Sequence, residues 1–166
     1  MINKDFIKSK LFPCNVLAEQ VVLAILIKHP SSINFISQVL PIEAFFLQKH
    51  QIIYETALIL NKNEQIIDLV TIATWLQDNN LINLIGGLKT LIILSEKTVS
   101  LINLKQYTQL LKEKYNRRLL INLGKEIIKL SFQTSLSVNS IIDKIYKEIY
   151  LLSTKENFNN LSRTSE

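Results

Sequence analysis

Cys14 is the single cysteine among 166 residues, so no disulfide can form within the chain. A reducing compartment fits that usage. Glycine and proline are almost as scarce, three of each. Strand-and-turn architectures need tight turns at short intervals, so this scarcity excludes most of them and points to helices. The longest apolar run, Val21 to Ile27, falls far short of the roughly 20 residues that span a bilayer. Met1 to Phe12 carries charges throughout and no apolar core of a secretory signal. The expectation is a soluble protein without a membrane partner.

Chemical signatures are missing too. A phosphate-binding loop needs glycines and a lysine at fixed spacing, so that bare backbone amides wrap the phosphates. The only Gly-Lys pair, Gly124–Lys125, is followed by Glu126, and Leu119 stands where the upstream glycine would be. Cys14, His29 and His50 have no spacing like that of a zinc site, and each histidine is expected at a helix end or on the surface. No serine, cysteine or histidine lies in a hydrolase signature. Glu19, Asp68 and Glu96 are scattered acids, and Asp68 reads as a helix cap rather than a catalytic acid. No catalytic, cofactor-binding or metal-ligating residue is therefore expected in this chain.

What is present is apolar and mildly basic. Hydrophobic residues make up 48%, charged residues only 20%, and the mean hydropathy is +0.19. That balance fills a core and leaves apolar surface for a partner. The net charge of +5 admits nucleic acid as a partner. A composition heavy in Ile, Asn and Lys explains it better, since charge alone says little about partners.

The pattern predicts an all-α fold, a small helical-bundle head followed by a long antiparallel helical hairpin. After a flexible arm over 1–12, the head spans 13–101. Asn15 caps a first helix from about Val16 to Lys28, apolar on nearly every side and hence central. Pro30 to Ser32 break it and start a short second helix that ends before Pro41. A third helix follows from about Gln48 to Asn61, with Ile53, Ala57 and Leu60 on one face. Asp68 caps a fourth, and Gly86–Gly87 turn the chain into a fifth. The hairpin covers 102–152, with arms at about Asn103 to Phe132 and Val138 to Leu152. The polar stretch 153–166 is expected to be disordered.

The hairpin carries more apolar surface than two helices can hide in each other. Tyr107, Leu111 and Tyr115 on the first arm, with Ile141, Ile145 and Ile149 on the second, are the expected oligomer interface. Lys112, Lys114, Arg117 and Arg118 form a basic cluster able to touch DNA phosphates, although Glu113 and Glu126 interrupt it and no aromatic platform accompanies it.

Taken in order, the segments resemble the N-terminal domain of DnaB-type replicative DNA helicases. Pro13-Cys14-Asn15-Val16-Leu17-Ala18-Glu19-Gln20-Val21-Val22-Leu23 is similar to that family's P-x-x-x-E-A-E-Q-x-V-L-G stretch. Phe45-Phe46, His50 and Ile53-Tyr54 resemble F-[YF]-x-x-x-H-x-x-I-[FY], and Ile67 to Ile72 with Leu76 resemble I-D-x-x-T-L-x-x-x-L. Gly86-Gly87 and Leu91 fit G-G-x-x-Y-L, and Asn103, Tyr107 and Arg117 or Arg118 fit the start of the hairpin helix. Leu17, Ala24 and Thr90 depart from the family pattern.

The resemblance implies a collar domain, paired through hairpins as a dimer or as a trimer of dimers around DNA. It implies primase and helicase-loader partners in a primosome, with little direct DNA contact. It also implies that ATP and Mg2+ serve a separate motor domain, which unwinds DNA in the 5′-to-3′ direction and has no counterpart here. Bacterial cytoplasm or plastid stroma is the implied location. Two other readings are a stand-alone helical adaptor and a basic DNA-binding module.

Overall fold

The computed structural model describes residues 12–161, with side chains over 12–153. Of the arm expected over 1–12, only Phe12 lies within the described residues. All regular structure among them is helical: α1 (Val16–Lys28), α2 (Ile33–Val39), α3 (Gln48–Lys62), α4 (Leu69–Asp78), α5 (Leu88–Glu96), α6 (Leu104–Ser131) and α7 (Val138–Leu161). Short 3-10 turns at Pro30–Ser32, Ile42–Ala44 and Leu101–Asn103 join some of them. The chain divides into two compact units, one ending at Tyr115 and the other beginning at Asn116.

The first unit is the head. Val22, Leu23, Ala24, Ile25 and Leu26 are all 0% exposed. Five consecutive residues point to every side of a helix, so α1 is enclosed and forms the centre. Helices α2, α3, α4 and α5 contribute Ile36, Tyr54, Ile72 and Leu91 to the same core. Tyr54 fills the largest share of it, tilted against Phe45 with ring centroids 4.8 Å apart. Its hydroxyl donates to the Leu40 carbonyl at 3.0 Å. Burial pushes the Tyr54 phenol well above the ordinary tyrosine range.

The helix ends follow local chemistry. Asn15 Oδ1 accepts from the Ala18 amide at 3.0 Å, and Asp68 Oδ1 accepts from Thr71 at 2.7 Å. Those bonds satisfy amides that have no partner inside their own helices. Helices α3 and α4 stop through residues in the left-handed region, Glu64 (φ 57°) and Asn80 (φ 59°). Each is followed by an amide reaching back into the last turn, Gln65 to Leu60 and Leu81 to Leu76. Gly87, at φ 76°, precedes α5 in a conformation that costs an L side chain strain.

Two boundaries differ from the sequence expectation. Leu104, Thr108 and Leu111 are buried, the two leucines within the head core, so the first turns of α6 belong to the head. A helix without an internal breaker carries no local mark of where its packing partner changes. Helix α7 also continues through Leu161, beyond the expected stop at Leu152. The expected disordered tail therefore begins inside a helix, and 162–166 lie outside the described residues.

Candidate interaction surface

A buried polar cluster holds the head's second half in place. Glu19, on α1, is 0% exposed, and His50, in the first turn of α3, is 1% exposed. His50 Nδ1 lies 2.7 Å from Glu19 Oε2. The same carboxylate accepts from the Phe46 amide at 2.8 Å and from the Leu47 amide at 3.4 Å. Leu47 precedes α3 and has no side chain able to cap it. Glu19 therefore caps a helix 28 residues away, at the end where a helix dipole favours negative charge. The expectation that His50 is a surface or helix-end residue is half corrected: it stands at a helix start, but inside the core. Isolated acids and histidines carry no periodic signal, so only the motif segments holding Glu19 and His50 could have brought the pair to notice.

The second unit is an antiparallel hairpin of α6 after Tyr115 and α7, closed by a turn over 132–137. Helical spacing assigns to its seam Leu123, Ile127 and Leu130 from α6 and Ile141 and Ile145 from α7, all buried or half-buried. Glu126 Oε1 meets Lys144 Nζ across it at 3.7 Å.

Among the residues left outside are several large apolar ones. On α6 they are Leu120 (59% exposed) and Ile128, with Phe132 in the turn just after it. On α7 they are Val138, Ile142, Tyr146 (69% exposed) and Tyr150. Leu120 and Ile128 stand eight residues apart and the α7 residues advance by four, so each set keeps to one side of its helix. In each helix the exposed row is turned from the seam row by about 120° in the same rotational sense. Because the arms run antiparallel, equal senses bring both rows to one face of the hairpin. Glu126 and Lys144 are turned the other way, and they meet on the opposite face.

Five of the six expected interface residues are buried or half-buried in the chain's own packing. Leu111 is 1% exposed in the head core, with Tyr107 and Tyr115 packed against that core. Ile141 and Ile145 lie in the hairpin seam, and Ile149 is 47% exposed. Apolar periodicity finds the row facing the chain's own neighbour first, because that row is the most regular.

The basic residues do not make one open cluster. Arg118 is 9% exposed, Lys112 and Lys114 are half-buried, and only Arg117 is exposed. Gly124–Lys125 lies within α6, where the backbone amides turn into helix bonds rather than toward a phosphate. These residues do not fit ATP. Among the described residues no three potential metal ligands gather, and no helix is long and apolar enough to cross a membrane.

An enclosed helical head joined to a hairpin with exposed apolar residues defines an all-α domain. The chain belongs to the family of the DnaB-like helicase N-terminal domain, whose model matches residues 11–113. It is 35% identical over 142 residues to the replicative DNA helicase DnaB of Nostoc sp., covering 86% of this chain and 16% of that protein. It is 36% identical over 149 residues to a probable replicative DNA helicase of Trieres chinensis, covering 90% of this chain and 33% of that one. The chain thus spans a third or less of these relatives. The crystal structure of the N-terminal domain of DnaB helicase from Mycobacterium tuberculosis superposes with a TM-score of 0.78 at 26% identity, covering 84% of this chain and 99% of that one. A DnaB-like replicative helicase, in a study of its interactions with primase, gives a TM-score of 0.69 at 26% identity, over 85% of this chain and 31% of that one.

Proposed function

We propose that this chain acts as a collar domain of a replicative DNA helicase, joining subunits through its hairpin and offering a surface to primase or to a helicase loader. The carrying observation is the pair of exposed apolar rows on one hairpin face. Contiguous apolar surface of that kind marks an interaction site. Family membership gives the reading its context: a helicase subunit needs neighbours to form a ring. On this proposal ATP and Mg2+ act on a motor domain outside this sequence, DNA passes through the ring, and the location is bacterial cytoplasm or plastid stroma.

Sedimentation velocity of the 166-residue chain over a range of concentrations tests the assembly. Dimers or multiples of dimers are the expected species. A monomer persisting at high concentration overturns the reading. Capture of a DnaG-type primase by the assembled chain tests the partner separately.

A further inference from the structure

We draw no further inference here: the strongest candidate, the exposed apolar patch that Leu88, Ile92 and Ile93 form on the outer side of α5 in the head, carries nothing, because nothing in the structure shows what covers it.

Discussion

Glu19 shows how much one side chain can carry. Its carboxylate serves the His50 ring and the Phe46 amide from a position with no exposure. Removing one member of such a buried set leaves the other without a partner in a medium that solvates it poorly. Glu19→Ala is expected to cost about 3–5 kcal/mol in urea denaturation. Glu19→Gln costs less, since an amide oxygen still accepts from Phe46. A loss below about 1 kcal/mol for Glu19→Ala would show that the cluster is not needed to hold α3. Asp68 gives a pH signature. The Thr71 amide holds its carboxyl below the usual range, helped by Val70 and opposed by partial burial. A carboxyl lowered in the folded state stabilises above its unfolded value near 4 and loses that contribution as pH falls through the folded value. Asp68→Ala is expected to cost about 1 kcal/mol at neutral pH and to flatten the acid limb of the stability profile. Tyr54 works at the other end: its phenol is raised by burial, so stability falls as pH rises above about 10. Tyr54→Phe shifts the onset of that loss upward.

At the scale of elements, most helices were legible because their ends are written in local chemistry. Asn15 and Asp68 mark two starts with their own side chains, and Gly86–Gly87 mark a turn that few other residues could make. Helix α1 could be placed at the centre because no face of it is polar. Helix α3 has no such signal at its start, since its cap comes from another helix. The boundary within α6 was equally silent, because Leu111 and Leu123 look alike in sequence while one packs in the head and the other in the hairpin seam. The same degeneracy drew attention to Ile141 and Ile145, which are half-buried, rather than to Ile142 and Tyr146, which are exposed. One expected substitution effect follows from a helix end. Glu64 occupies the left-handed region at φ 57°, where only glycine sits without strain. Glu64→Gly is expected to raise stability by about 0.5–1 kcal/mol, read from thermal melts. Unchanged or lower stability would mean that the Glu64 side chain contributes more than its backbone loses.

On the proposed assembly, the two units divide the labour. Substitutions in the head should act on folding and substitutions on the hairpin's open face on association. Leu111→Asp, placing a charge in the head core, is expected to lower stability by several kcal/mol and reduce helicity. Ile142→Asp, at a residue 43% exposed, should leave helicity intact and lower the associated mass. If Leu111→Asp keeps its fold and Ile142→Asp keeps its mass, the division is wrong. Because the exposed rows carry no charge, self-association should change little as sodium chloride rises from about 0.1 to 0.5 M. A steep salt dependence in sedimentation would point instead to the lysines and acids at the edges.

The long-range cap on α3 also orders events during synthesis. Translation delivers Glu19 before Phe46 and His50, so the acceptor waits for its donors and no downstream residue has to arrive for the start of α3 to close. A peptide running from Phe45 to the end of α3 would leave the Phe46 and Leu47 amides to water and fray at its leading end. A circularly permuted chain beginning after α1 would make the same contact only once its last residues had left the ribosome. Its refolding in free solution could match the parent while its yield from the cell did not.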